Sequence, residues 1–232
     1  MCNKQNFQNS KTSNSGRTTR EEADLKKDIY FSDSYFTHHQ FISFAEQIRL
    51  VRSLNEKNIL EIGIGNGIVS DFLKKAGFNV TTFDINANLG PDIVGSILDL
   101  TEIFQESKFD LVLCAEVLEH MPFKYFEQAI SNVAHTTRKY VILTLPRSQR
   151  LIVDIQFSIK LAKLKPIHNS IILTIPKSKI PPEHHWELNS SKETKLRKIN
   201  LILNKYFTIF DSNRFHFRSY HHYFVLKKRE MR

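Results

Sequence analysis

The sequence predicts an α/β fold, a Rossmann-like doubly wound sheet of about seven strands that are mostly parallel, with an antiparallel strand at one edge. Short apolar segments alternate with helical patterns along the chain, and parallel strands need such crossovers. The first apolar segment runs into glycines at alternate positions, Gly63, Gly65 and Gly67, which indicates that a strand turns there. The last two strand-like segments have no helix between them, which indicates an antiparallel pair.

The composition indicates one globular domain. Of the 232 residues, 41% are hydrophobic and 25% are charged, as in ordinary soluble proteins. We expect a single domain over residues 29–232 and a disordered polar tail over residues 1–28, which lacks the apolar core of a secretory signal. No apolar run has the length of a membrane span, so integral membrane association is not expected. The two cysteines imply no disulfide framework, and a cytoplasmic location fits best.

The net charge of +9 arises behind residue 146. Residues 147–180 carry seven Lys/Arg and one Asp, and residues 192–232 carry eleven Lys/Arg and three Asp/Glu. This excess indicates an anionic partner, such as nucleic acid, a phosphorylated metabolite or a membrane surface, or else only the solvated faces of the last elements. Composition leaves these alternatives open.

The elements of the front part follow from the spacing of apolar residues. Strands are predicted over residues 58–64, 79–84, 92–95, 109–114 and 140–145. Helices are predicted over residues 36–54, from Asn66 or Gly67 to Gly77, and from Phe123 onward, with a weak helix or loop at 100–106. Ligands of such sheets bind at the carboxyl ends of the strands, so we expect the site there.

The part behind residue 146 is less regular. Residues 153–161 alternate apolar and polar side chains, which favours a strand, although their lysine-rich continuation also fits an amphipathic helix. Together with the apolar stretch 171–175, this region is predicted to form a lid-like insertion over residues 147–182. A helix at 192–205 and strands at 206–211 and 219–227 complete the predicted domain, and no role is assigned to the histidines of the last strand.

The motif with the clearest chemistry is Glu61-x-Gly63-x-Gly65-x-Gly67, followed by Asp84 at the end of the next strand. Ile68 stands where a dinucleotide fold would have its third glycine. Together with the block Phe-Asp-Leu-Val-Leu-Cys-Ala-Glu-Val-Leu-Glu-His-Met-Pro at 109–122, the motif resembles that of class I S-adenosylmethionine-dependent methyltransferases. The resemblance covers residues 57–146 well and the rest more loosely, which implies a methyltransferase domain.

The resemblance implies that S-adenosylmethionine is the cofactor and assigns the residues that bind it. The glycines let the backbone approach the methionine part, Glu61 supports the cofactor amino group, Asp84 accepts hydrogen bonds from the ribose, and Ile85 packs on the adenine. Adenine recognition falls to Ser96 or Asp99, depending on loop register, with Asp99 the better acceptor. The full predicted set is Glu61, Gly63, Gly65, Gly67, Asp84, Ile85, Ser96, Ile97, Asp99 and Ala115.

The predicted catalytic residues follow the fourth strand. Glu116, Glu119 and His120 are suited to act as a general base or to bind a divalent metal ion. Their arrangement also resembles two metal-dependent subfamilies, the ubiquinone-pathway O-methyltransferases and the small-RNA 3′-terminal 2′-O-methyltransferases. The latter pair it with a downstream histidine segment, for which residues 183–187 are a partial match; His184 and His185 are there, and His185 is included among the catalytic candidates.

We therefore expect transfer of a methyl group to oxygen or nitrogen of a small polar or lipid-like acceptor. A metal-assisted RNA 3′-terminal 2′-O-methyltransferase is the alternative, favoured by the basic back part and the histidine segment. RNA is thus a second possible partner and a divalent metal a less favoured cofactor, and the oligomeric state is open.

Overall fold

The computed structural model describes residues 19–160, 167–177, 179–215 and 218–229. Within them the strands are β1 Asn58–Ile62, β2 Asn79–Asp84, β3 Ile93–Val94, β4 Phe109–Ala115, β5 Thr137–Pro146, β6 Gln149–Ile159, β7 Ile167–Pro176, β8 Phe207–Phe215 and β9 Arg218–Lys228. The α-helices are α1 Thr19–Ala23, α2 His38–Leu54, α3 Ile68–Lys75, α4 Leu100–Ile103, α5 Phe126–Thr136 and α6 Leu196–Tyr206. Among these residues no helix is both long and apolar enough to cross a membrane.

The main sheet has seven strands in the order β3-β2-β1-β4-β5-β9-β8. The strands β1 to β5 pair in parallel, whereas β9 runs antiparallel to both β5 and β8. The predicted doubly wound fold with an antiparallel edge region is therefore confirmed. The chain order reverses between β1 and β4, so the carboxyl ends of these two strands border a crevice, the usual ligand position in such sheets.

Helices cover both faces of the sheet because the side chains of its central strands alternate. Leu60 and Ile62 of β1 pack into one buried apolar cluster with residues of α5 and α6. Ile59 points to the other face and packs with residues of α2 and α3. Burial on both faces is typical of a parallel sheet and holds the strand ends rigidly.

The region predicted as a lid-like insertion contains a β-hairpin. Strands β6 and β7 pair antiparallel and form a separate two-stranded sheet. The alternating pattern at 153–161 is thus a strand, as favoured over the helix, although it ends at Ile159 and residues 161–166 lie outside the described part. Its function as a lid remains a prediction.

The N-terminal segment differs from the expected tail in its described part. Residues 19–31 form α1 and a short 3-10 helix at Lys27–Phe31, and the side-chain amide of Asn86 donates a hydrogen bond of 2.8 Å to the carbonyl of Leu25. Residues 1–18 lie outside the described residues. Tyr30 packs edge-to-face on Tyr35, and both side chains lie beside Gly65 in the loop after β1.

Candidate active site

A cavity of about 560 Å³ lies at the carboxyl ends of the parallel strands. Its floor is the loop after β1, from Gly63 to Asn66, together with Asp84. Its roof is formed by the N-terminal segment, and its far wall includes Glu116 and His221. The volume is sufficient for a nucleoside-sized ligand and a small second molecule.

Backbone geometry explains the glycine loop. Gly63 has φ of +80°, and a Cβ atom at this position would lie 2.3 Å from Val117 Cγ2. Gly65 has φ of +52°, and its Cβ would lie 3.1 Å from the Tyr35 hydroxyl. The backbone therefore forms the cavity floor without side chains. Gly67 precedes α3 as its N-cap residue and does not line the cavity.

Asp84 ends β2 with both carboxylate oxygens fixed. Oδ2 accepts a hydrogen bond of 2.8 Å from the amide of Ile64, and Oδ1 accepts one of 2.8 Å from the amide of Asn86. Burial raises the pKa of Asp84, and these amide hydrogen bonds oppose the rise. The carboxylate is thus rigid, lines the cavity, and retains lone pairs for further donors.

Glu61 lies beneath the glycine loop and is 4% exposed. Burial raises its pKa to about 8, although Ser70 and Lys74 oppose the rise. Its Oε2 atom has no hydrogen-bond partner among the described residues. A buried acceptor that lines a cavity and lacks a partner fits a cationic or N–H donor of a ligand.

Among the other residues predicted to bind the cofactor, some line the cavity and one does not. Ile85, Ser96, Ile97 and Ala115 line it. Asp99 is exposed and does not, because the 3-10 turn at Ile97–Asp99 directs it to solvent. The Asp99 side chain makes no capping hydrogen bond to α4 either. Between the two positions that the sequence left open, only Ser96 borders the cavity.

Glu116 follows β4 with φ of +54°, an uncommon conformation for a non-glycine residue. Its Oε1 accepts a hydrogen bond of 2.8 Å from the Thr144 hydroxyl, and its Oε2 lies 3.3 Å from His221 Nε2. The other ring nitrogen of His221 lies 3.0 Å from the Ser43 hydroxyl. Four elements, β4, β5, β9 and α2, thereby fix one carboxyl group at the cavity wall.

Glu119 and His120 lie in a 3-10 turn at Leu118–His120. Glu119 is fully buried, and burial together with the charge of Glu116 raises its pKa well above the ordinary range. Its ligand atom and those of His120 and His184 all lie within 4.8 Å of one another. Glu119, His120 and His184 are called the carboxylate–histidine cluster below.

The structure brings His184, rather than His185, to the cluster. The His184 ring packs edge-to-face on His120 with a centroid distance of 5.1 Å, and its Nδ1 lies 3.2 Å from Glu187 Oε1. His185 donates its backbone amide to the Glu119 carbonyl and does not line the cavity. A catalytic role for His185 remains a prediction that this geometry does not support.

Sequence reasoning missed several cavity residues. The sequence assigns no role to Tyr220 and His221 of the last strand and singles out neither Tyr30 nor Tyr35, yet all four line the cavity. The only sequence signal for His221 was that two adjacent histidines, His221 and His222, stand in a predicted strand. The N-terminal tyrosines gave no such signal because their contact with the glycine loop is long-range.

Residues 36–158 match the model of a protein family described as a methyltransferase domain. The chain belongs to this family. The methyltransferase domain begins at α2 in this match and ends within β6, so it includes the glycine loop, Asp84 and the carboxylates after β4. The resemblance to class I S-adenosylmethionine-dependent methyltransferases is thereby confirmed.

Solved structures of low identity share the fold of this methyltransferase domain. The magnesium protoporphyrin IX methyltransferase of Synechocystis, solved with bound S-adenosylhomocysteine, has a TM-score of 0.57 at 15% identity, over 87% of this chain and 92% of that one. An S-adenosylmethionine-dependent methyltransferase from Archaeoglobus fulgidus has a TM-score of 0.54 at 13% identity, over 87% and 99% of the two chains.

A ubiquinone biosynthesis O-methyltransferase from Hydrogenovibrio crunogenus is 35% identical over 95 residues, which are 33% of this chain and 37% of that protein. The match thus spans little more than a third of that relative.

Proposed function

We propose that this protein uses S-adenosylmethionine to methylate a hydroxyl oxygen of a small polar or lipid-like acceptor. The observation that carries the proposal is one continuous cavity that joins the glycine loop and Asp84 to the Glu116 carboxyl group. A methyl donor and an acceptor can therefore meet inside the protein. The name of the Hydrogenovibrio relative supports oxygen as the methylated atom.

The donor end of the cavity fits the proposed cofactor. Gly63 and Gly65 line the cavity and carry no side chains, so a ligand can approach bare backbone there. The fixed carboxylate of Asp84 suits a pair of ribose hydroxyls, and the unpartnered Oε2 of Glu61 suits the ammonium group of the methionine part. When bound, S-adenosylmethionine supplies a methyl group that its sulfonium already activates.

The acceptor end supplies a base. Glu116 is positioned by Thr144 and His221 to receive the proton that leaves the acceptor hydroxyl, and His221 Nε2 lies next to it to relay that proton. Tyr30 and Tyr35 cover the glycine loop and limit the entry of water. The remaining contribution of the protein is alignment of the two reactants.

Assays with purified protein, S-adenosylmethionine and matched phenolic and amine acceptors test the proposal. We expect S-adenosylhomocysteine to form with hydroxyl acceptors and mass spectrometry to place the methyl group on oxygen. Methylation of amines alone would refute the oxygen assignment. Absence of S-adenosylhomocysteine binding in calorimetry would refute the cofactor.

A metal-assisted reaction is the second candidate, and the carboxylate–histidine cluster favours it. Neither carboxylate oxygen of Glu119 accepts a hydrogen bond from a described donor, and a cation would offset the cost of burying them. Glu187 orients His184 from behind, which is typical of metal-ligating histidines. A cation there would polarise an acceptor hydroxyl.

RNA 3′-terminal ribose methylation is the form of this second candidate that the basic residues 192–232 favour. Loss of activity in EDTA, restoration by a divalent cation, and methylation of RNA oligonucleotides would establish it. Activity on small acceptors that survives EDTA would eliminate it.

A further inference from the structure

The β6–β7 hairpin exposes an apolar face. The register pairs Ile155 with Ile171 and Val153 with Leu173, so these side chains share one side of the two-stranded sheet. The apolar face, as defined here, consists of Val153, Ile155, Phe157, Ile159, Ile171, Leu173 and Ile175. Apart from the half-buried Val153, their exposed fractions lie between 41% for Phe157 and 61% for Ile171.

The hairpin is oriented against the usual rule for a protein in water. On the other side of the hairpin, Asp154, Ile172 and Thr174 are half-buried and Ser158 is exposed, whereas six of the seven residues of the apolar face are exposed. A strand with one solvated face ordinarily places its polar residues there. Six large exposed apolar side chains on one surface mark an interaction site rather than a random surface.

The charge of the region selects among possible partners. Residues 147–180 carry seven Lys/Arg and one Asp, and among the described residues Arg150, Lys160 and Lys179 are exposed at or near the ends of the two strands. A second copy of the chain would bring two such basic regions together, which repels. Nucleic acid would satisfy the lysines but offers little to a continuous apolar face. A bilayer with anionic headgroups matches both features.

We propose that the apolar face of the β6–β7 hairpin docks on a bilayer that contains anionic lipids. The aliphatic side chains enter the headgroup boundary, and the lysines pair with the headgroups. The chain that leaves β7 continues to Pro181 and His184 at the cavity wall, so the docked hairpin sets this wall next to the bilayer. Docking does not depend on the proposed methyl transfer.

Co-sedimentation with vesicles tests the proposal without any enzymatic readout. Vesicles of phosphatidylglycerol mixed with phosphatidylcholine are compared with vesicles of phosphatidylcholine alone. We expect binding to the mixed vesicles that weakens strongly without phosphatidylglycerol and in high salt. The double variant Ile155→Gln/Ile171→Gln should bind the mixed vesicles at least about tenfold more weakly, because two isoleucines that enter the bilayer on docking are lost.

The matched control is Leu201→Gln/Phe210→Gln, which removes two side chains that are 56% and 69% exposed outside the hairpin. It should bind as the wild type does, and unchanged melting temperatures should show that both double variants are folded. Equal binding by the hairpin variant, or no binding by the wild type, would overturn the proposal. So would a dimer in light scattering that the hairpin variant abolishes, because a second copy would then cover the face.

Discussion

Glu116 Oε2 and His221 Nε2 lie 3.3 Å apart, although one residue follows β4 and the other belongs to β9, the antiparallel strand beyond β5. The contact exists because β9 inserts beside β5 and brings its alternate side chains to the cavity wall. The proposed acceptor end of the site therefore depends on the antiparallel part of the sheet, whereas the proposed donor end depends on β1 and β2.

The first prediction concerns this pair. Glu116→Gln removes the proposed base and should lower kcat about 10²-fold, and His221→Asn should lower it about tenfold through loss of positioning and relay. The affinity for S-adenosylhomocysteine should stay unchanged in both, because neither residue holds the donor. Steady-state kinetics and calorimetry measure the two effects. His135→Asn, an exposed position at the end of α5, serves as control; an unchanged kcat in Glu116→Gln would exclude the proposed base.

The second prediction separates strain from contact in the glycine loop. Gly63→Ala and Gly77→Ala both place alanine at positive φ, which costs about 1 kcal/mol of unfolding free energy. Only at Gly63 does the new Cβ collide with another residue, Val117, since nothing lies within 4 Å at Gly77. Gly63→Ala should therefore be the less stable variant and should lose S-adenosylhomocysteine binding. Equal denaturation midpoints and equal binding would contradict this explanation.

The third prediction distinguishes two aspartates. Asp84→Asn should weaken S-adenosylhomocysteine binding by about 1–3 kcal/mol, the cost of hydrogen bonds to a charged acceptor. Asp99→Asn should leave binding unchanged because its side chain points to solvent outside the cavity. Isothermal titration calorimetry measures both. A large loss in Asp99→Asn would restore the adenine contact that the sequence favoured.

The fourth prediction concerns pH. Burial raises the pKa of Glu61 to about 8 in the folded state from 4.5 when unfolded, so the folded state holds the proton more tightly. The stabilisation that results is complete below the pKa of Glu61 in the unfolded chain. It is lost as the pH rises through the pKa of Glu61 in the folded protein. The variant Glu61→Gln does not titrate. Its free energy of unfolding minus that of the wild type should therefore increase by roughly 3 kcal/mol as the pH rises from about 5 to 8. Urea denaturation across this range checks it; parallel curves would show that the carboxyl group does not titrate this way.

The fifth prediction concerns the carboxylate–histidine cluster. If a divalent cation binds there, His184→Asn should weaken Mn²⁺ binding about 10- to 100-fold, in the range reported for disturbed metal sites. His185→Asn should have a much smaller effect, because His185 is not part of the carboxylate–histidine cluster and does not line the cavity. Electron paramagnetic resonance of added Mn²⁺ measures free ion in each variant. A dependence on His185 instead would mean that the loop after Pro182 adopts another arrangement.

Local chemistry made much of the donor site predictable. A strand that ends in alternate glycines and a second strand that ends in Asp84 both follow from neighbouring residues, and adjacent parallel strands bring their ends together. The choice between Ser96 and Asp99 depended on the 3-10 turn at Ile97–Asp99, which places them on different sides of the chain. Hydrophobic spacing does not encode such a turn.

The acceptor site was less predictable because its contacts join distant segments. The alternation of side chains along β9 could not show that His221 meets Glu116, which follows β4. In the same way, the sequence of residues 183–187 did not decide whether His184 or His185 would face His120. The roof over Gly65 arises from Tyr30 and Tyr35, which lie shortly after the predicted polar tail of residues 1–28 and belong to no motif that the sequence singles out.

The cavity is lined by residues inside the family match and by residues outside it. The family match spans residues 36–158, and it contains the glycine loop, Asp84 and Glu116. The roof residues Tyr30 and Tyr35 lie before it, and the wall residue His221 lies after it. The matched region alone would therefore leave the glycine loop uncovered at Gly65 and would leave Glu116 without its His221 neighbour.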